Sequence, residues 1–332
     1  MIISRTPFRV SLFGGGTDYP AWYHKNGGAV LGFSIDKYCY ISIRRLPPFF
    51  EHKHRIVYSR VENVTETAEI QHPAVRAIFN EMPVDHGLEI HCDADLPARS
   101  GIGSSSSFAV GLLNAMHAHR GQHVGKDVLA QSAIHIEQNV IGENVGSQDQ
   151  IWAAHGGFNR IDFHHSGSYS IQPVIMPQKR QAALLDHLLL FFTGFSRISS
   201  EIAKDHIENL EAKHGHLTRM RGLVDDALNC LQSDAPIEDI GEMLHQSWSL
   251  KRELSKKVTT EAIDEIYLRG RAAGAIGGKI LGAGGGGFIL FFAPPEKRAK
   301  IRRALSSLTE VSIGIDYSGS SIALYQPEIT SS

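Results

Sequence analysis

The stretch from Leu96 to Leu113, LPARSGIGSSSSFAVGLL, concentrates main-chain NH groups and hydroxyls at the mouth of an apolar segment. A helix N-terminus offers unpaired NH groups and the positive end of its dipole, an arrangement that binds phosphate. Gly101 and Gly103 let the backbone come close to an anion, and Ser104, Ser105 and Ser106 add hydroxyls, one of which can ligate Mg2+. The loop lacks the lysine of a nucleotide-binding P-loop. Ser106 also stands where the third glycine of a dinucleotide fingerprint belongs, and the next element reads as a helix, not a parallel strand. By itself the loop fits a flexible turn capping a core helix as well as it fits a phosphate site.

Two carboxylates bear on that choice. Glu137 lies in SAIHIEQNVIG, with Ile134, Ala133 and Ile141 three and four residues away, so it projects near an apolar face. A lone buried carboxylate is costly unless a cation or a proton accompanies it. Glu137 either reaches solvent at the helix edge or faces the serine loop as a Mg2+ ligand. Asp149 lies in NVGSQDQIWAAHGG, where Ser147 fits an N-cap with Gln150 three residues on. That places Asp149 in a first helical turn, where it compensates the dipole. The same position suits a residue that orients an attacking hydroxyl in phosphoryl transfer.

The elements that must carry these groups alternate through the chain. Strands are predicted over 9–13, 29–35, 38–44, 56–61 and 88–92, then helices over 108–118, 126–141 and 148–155. The pattern restarts with a buried strand at 187–193 and helices over 198–213, 217–231, 236–254 and 260–273. Strands near 276–281 and 287–292 flank a glycine run, and a helix over 295–308 precedes strands near 311–316 and 320–325. The break at 173–181 divides the chain into two α+β domains, 1–180 and 181–332. With 33 Lys and Arg against 35 Asp and Glu, the surface is not basic enough for a nucleic-acid or membrane partner. Three scattered cysteines and an N-terminus without an apolar signal segment lead us to expect a cytoplasmic protein. None of the 18 histidines falls at metal-site spacing, so no structural metal is expected.

Three motifs in order resemble the GHMP kinases: TPFRVSLFGGGTDYP at 6–20, LPARSGIGSSSS at 96–107 and KILGAGGGGFILFF at 279–292, with Glu137 and Asp149 between the second and third. The resemblance implies an N-terminal domain of the ribosomal S5 domain 2-like type and a ferredoxin-like C-terminal domain. It implies that the second motif, with Pro97, Gly101, Gly103, Ser104, Ser105 and Ser106, wraps the phosphates of ATP. Ser104 or Ser105 would ligate Mg2+ together with Glu137, and Asp149 would orient or deprotonate the acceptor hydroxyl beside Arg9. Asp18, with Gly15, Gly16 and Thr17, would contact the substrate, and Gly284, Gly285 and Gly286 would line the site from the second domain.

This chain reads GGGTDY where galactokinases read GEHTDY, so the implied sugar pocket has more room. The stretches at 193–206, 247–267 and 274–288 resemble family members that phosphorylate the anomeric O1 of a heptose already carrying a phosphate. Such a substrate needs cations, and Arg197, Lys251, Arg252 and Lys279 lie in those stretches. Lys251 and Arg252 fit a solvated charged helix equally well. The expected partner is a small sugar phosphate; a kinase for an unphosphorylated sugar, such as fucose or galactose, and a non-catalytic nucleotide-binding protein are the alternatives. The sequence leaves the oligomeric state open.

Overall fold

A computed structural model describes residues 1–194, 205, 207, 210 and 212–327. Two sheets organise the chain. The first runs β12-β1-β2-β5-β3-β4, where β1 is Ile2–Phe13, β2 Gly28–Arg45, β3 His54–Val57, β4 Val61–Val64, β5 Leu88–Ala94 and β12 Ser321–Tyr325. The hairpin β6 (Phe158–Phe163) and β7 (Tyr169–Pro173) joins through β6 on β2. The two strands expected at 29–35 and 38–44 are one 18-residue strand, whose first half pairs β6 and whose second half pairs β5.

The second sheet is four-stranded and antiparallel, in the order β11-β8-β10-β9. Here β8 is Leu188–Phe192, β9 Gly277–Ile280, β10 Phe288–Phe292 and β11 Thr309–Val311. Strands β8 (LLLFF) and β10 (FILFF) are apolar at every position because both of their faces are covered. Leu188, Leu190, Phe288, Leu290 and Phe292 join the large core of the first domain. The residues between them, Leu189, Phe191, Ile289 and Phe291, pack with Trp248, Ile263 and Tyr267 on the other side.

Helix α3 (Ser104–His119) crosses the first sheet, and 12 of its 16 residues are buried, as its all-round apolar sequence requires. The helix expected over 126–141 is α-helical only from Lys126 to His135 (α4) and continues as a π turn, Ile136–Val140. That widened turn shifts the register at Glu137 and points its carboxylate inward. Helix α5 is Gln148–His155, with the expected boundaries. Its predecessors α1 (Pro20–Asn26) and α2 (Pro73–Glu81) and its successor α6 (Gln178–His187) were not predicted; α6 occupies the stretch read as a break. Helices α7 (His214–Gln232), α8 (Asp239–Leu254), α9 (Glu261–Ala273) and α10 (Arg298–Ala304) complete the second half. The helix expected at 198–213 lies almost wholly outside the described residues.

The division at residue 180 is crossed by the end of the chain. Ile315 bridges Ile35, and β12 pairs antiparallel with β1, so the last strand belongs to the first sheet. The strand expected at 311–316 is confined to 309–311 in the second sheet. Among the described residues no helix is long and apolar enough to cross a membrane.

Candidate active site

A cleft opens where the glycine-serine loop, β1 and the start of α5 meet α8 and the third motif. One side of it is fixed by an ion pair between Arg9 of the first motif and Asp149. Arg9, 4% exposed, donates from Nε to Asp149 Oδ1 at 2.7 Å and from Nη2 to Oδ2 at 2.6 Å. The remaining arm, Nη1, donates to the carbonyl of Gly101 at 2.6 Å, and Ile102 O accepts from the Arg9 main chain. One side chain therefore ties the carboxylate of α5 to the loop before α3. A bidentate guanidinium fixes both the position and the plane of a carboxylate.

Glu137 stands on the other side of the loop, 1% exposed. Ser105 Oγ donates to its Oε1 at 2.9 Å and Ser106 Oγ to its Oε2 at 2.8 Å, and Gln150 Nε2 also donates to Oε2. Three neutral donors do not offset desolvation, and burial pushes its pKa up to about 7. Ser104 faces away from this carboxylate and accepts from the Arg99 NH at 3.0 Å, so Ser105 is the hydroxyl that shares Glu137's surroundings.

Asp18 is 2% exposed and lines the cleft. Gly16 NH donates to its Oδ1 at 3.0 Å. Burial and the nearby Asp149 charge raise its pKa, while a hydrogen bond from Gln148 opposes the rise. Gln148 in turn accepts from Ser11 Oγ at 2.8 Å. The loop 143–147 closes over Asp18 because residue 146 is glycine: a Cβ there would lie 1.8 Å from Asp18 Oδ2.

The second domain contributes two lysines. Lys279 Nζ donates to Leu12 O at 2.9 Å, and Lys251 Nζ donates to Ile280 O at 3.0 Å and to Gly282 O. Burial and the charge of Arg9 bring the pKa of Lys279 down to about 7, against the opposing pull of Asp18. Burial and the Lys279 charge push Lys251 well down.

The predicted site residues thus separate. Arg9, Gly15, Gly16, Asp18, Gly101, Gly103, Ser104, Ser105, Ser106, Asp149 and Lys279 line one cleft, and Glu137 backs its serines. Thr17 is fully buried; its hydroxyl donates to Gly14 O and Ala29 O, which makes it part of the turn and not of the lining. Pro97 is exposed and does not line the cleft; its carbonyl accepts from Ser100 Oγ. Gly284, Gly285 and Gly286 lie behind the wall, with Gly285 NH on Val258 O, and the lining is formed by Gly282 and Ala283. The glycine run instead seats the phosphate-type loop: Phe288 NH donates to Ser100 O, and a Cβ at Gly287, whose φ is +91°, would lie 2.2 Å from that oxygen. Arg252 pairs with Asp264 on the surface, and Arg197 lies outside the described residues.

Sequence reasoning missed Gln148 and Gln150, which flank Asp149 in the same helical turn and orient Asp18 and Glu137. The signal was present in the QDQ triplet: a turn that presents Asp149 to the cleft presents its neighbours too. Arg99, Glu143 and Asn144 at the rim carried no such signal.

With this geometry in hand, comparison with known proteins identifies the architecture. The model for the GHMP kinases N terminal domain matches residues 68–157 and that for GHMP kinases C terminal matches 231–310, together just over half of the chain. The chain is 27% identical to D-glycero-alpha-D-manno-heptose 7-phosphate kinase of Campylobacter jejuni, over 92% of this chain and 93% of that protein. Its fold resembles the crystal structure of a D-glycero-D-manno-heptose 1-phosphate kinase from Bacteriodes thetaiotaomicron, with a TM-score of 0.78 at 22% identity, covering 96% of this chain and 98% of the other. Lactococcus lactis galactokinase complexed with galactose superposes with a TM-score of 0.73 at 19% identity, over 96% and 94% of the two chains. The paired domains in their expected order, built around a glycine-serine loop facing two acidic side chains, show that this chain belongs to the GHMP kinases, phosphotransferases that use ATP as the phosphate donor.

Proposed function

We propose that the enzyme transfers the γ-phosphoryl group of ATP to the anomeric O1 of D-glycero-D-manno-heptose 7-phosphate, giving the 1,7-bisphosphate. The observation that carries the reading is the Arg9–Asp149 pair held against the glycine-serine loop, with Glu137 behind the loop's serines. The choice of sugar rests on the 27% identity to the Campylobacter jejuni enzyme across nearly the whole of both chains.

In this mechanism the loop NH groups and the α3 N-terminus receive the triphosphate. Asp149 accepts a hydrogen bond from the O1 hydroxyl and takes its proton as the new O–P bond forms. Arg9 keeps the Asp149 carboxylate aimed and adds positive charge beside the transferring group. Asp18 accepts from sugar hydroxyls. The oxygen-only donor set of Ser105 and Glu137 suits magnesium, and a buried carboxylate whose pKa is raised is a group that gains from a cation. Bound there, magnesium would neutralise charge on the phosphate oxygens. An anomeric hydroxyl is more acidic than an ordinary alcohol, so a carboxylate suffices as base.

An ADP-release screen against hexoses, heptoses and their terminal phosphates tests the assignment. The reading requires the heptose 7-phosphate to give the highest kcat/KM and unphosphorylated sugars to fall at least about tenfold below it. Preference for fucose or galactose would move the enzyme to the unphosphorylated-sugar class, and no ADP release with any sugar would remove the sugar-kinase reading.

A further inference from the structure

Lys251 and Lys279 are 7% and 3% exposed, line the active cleft from the second domain, and sit close enough for the Lys279 charge to disfavour that of Lys251. Among the described residues neither ammonium makes an ion pair; their acceptors are the main-chain carbonyls of Leu12, Ile280 and Gly282. Two buried cations without counter-ions are costly, because a carbonyl dipole recovers only part of an ammonium's hydration. The charged groups facing them are Arg9, which adds to the repulsion, and Asp18, whose own pKa burial and Asp149 raise. Phe288, Leu290 and Phe292 are fully buried alongside, so apolar residues were compatible with this region, yet two lysines occupy it. Among the described residues no carboxylate pairs with either lysine; an anion entering the cleft would.

We propose that Lys251 and Lys279 together form a seat for a phosphoryl dianion, and that the pair takes up a proton from solvent as the dianion arrives. The proposal rests on the kinase reading above. The dianion has two possible sources with the same chemistry: the phosphate already carried by the acceptor, or the terminal phosphoryl of the nucleotide. The proton is read at Lys279, whose pKa lies near 7 in the free enzyme; Lys251, which burial also holds well down, is common to wild type and Lys279→Arg and drops out of the difference between them. A phosphate monoester, whose second pKa is about 6, is already a dianion at pH values around 8 and contributes none.

Titration calorimetry of the full chain at about pH 8, in two buffers of different ionisation enthalpy, counts protons taken up per ligand. One arm uses heptose 7-phosphate and the other β,γ-imido ATP with magnesium. The quantity read is the difference between wild type and Lys279→Arg, which keeps the cation but has no proton to gain. We expect at least about 0.3 more proton taken up by wild type in one arm, and that arm names the occupant. Lys251→Met and Lys279→Met should weaken the same ligand about 10- to 100-fold, while the exposed Lys256→Met leaves it unchanged. Uptake confined to the nucleotide arm, with no heat from heptose 7-phosphate, keeps the seat and removes the phosphorylated acceptor. Binding in both arms with equal proton counts in wild type and Lys279→Arg removes the seat and leaves the kinase reading standing. No binding in either arm overturns both.

Discussion

The two walls of the cleft treat charge differently. On the first-domain wall every functional ionisable group is held by side chains: Arg9 and Asp149 by each other, Glu137 by Ser105, Ser106 and Gln150, Asp18 by Gln148. On the second-domain wall the hydrogen-bond partners of Lys251 and Lys279 among the described residues are carbonyl oxygens. The first wall is organised before any ligand enters; the second is completed by one. Groups that act on the reacting atoms must hold their geometry in advance, whereas groups that receive a charged substrate keep their strongest interaction for it.

Breaking the first wall at Asp149 should have the largest effect. Asp149→Asn keeps the shape and can still accept a hydrogen bond, yet it removes the proton acceptor and one partner of Arg9. Its kcat should fall by about 10²–10⁴-fold while ATP affinity stays within threefold or so, read by steady-state kinetics and nucleotide titration. Loss of less than about tenfold in kcat would remove the base assignment.

Glu137→Gln should come next. With magnesium varied, we expect the concentration for half-maximal activity to rise by about tenfold or more; an unchanged metal titration would argue against ligation. The same variant carries a pH signature in metal-free protein. Because the folded Glu137 has its pKa raised from 4.5 to about 7, its proton stabilises the fold fully below pH 4.5, and that contribution is lost as pH rises through about 7. Wild type should therefore lose on the order of 3 kcal/mol relative to Glu137→Gln between those limits, measured by urea unfolding.

The junction between the walls can be tested at Gly287. Alanine there combines a positive φ with a Cβ 2.2 Å from Ser100 O. The strain alone is about 1–3 kcal/mol, and the displaced loop should raise the KM for ATP more than that for the sugar. Gly146→Ala should give the opposite split, since its Cβ meets the Asp18 carboxylate. Arg252→Ala, by contrast, breaks only the surface pair with Asp264 and should change stability by less than about 1 kcal/mol and activity not at all.

Much of the first wall was legible in the residues because it depends on short-range patterns. The run from Gly101 to Ser107 announces a helix N-terminus, and Ser147 marks the start of another, although its side chain makes no cap hydrogen bond and Gln150, expected to complete the cap, donates to Glu137 instead. The spacing of Ile134, Ala133 and Ile141 left Glu137 either at the helix edge or facing the serines, and the structure has it on Ser105 and Ser106; the π turn that carries it was not legible, because helical spacing gives no warning of one. The return of β12 to β1 pairs Ile2 with Tyr325, a contact that local periodicity does not encode. Gly284, Gly285 and Gly286 were expected to line the site only from the family resemblance; all have positive φ, and Gly284 packs on Val258 as the neighbouring Gly287 does on Ser100, close approaches that no local pattern encodes. Lys251 and Arg252 fitted a phosphate grip and a solvated helix face equally well in the sequence; the structure buries Lys251 and leaves Arg252 on the surface, since burial of a helix face depends on what packs against it.

The most direct test is phosphorus NMR of the reaction with ATP, magnesium and D-glycero-D-manno-heptose 7-phosphate. If groups at the glycine-serine loop direct transfer to the anomeric oxygen, a new phosphate resonance coupled to the anomeric proton appears alongside the retained 7-phosphate, and the Asp149→Asn enzyme gives none on the same timescale. A wild-type spectrum in which ATP persists unchanged, or in which the new phosphate is attached elsewhere on the sugar, would contradict it.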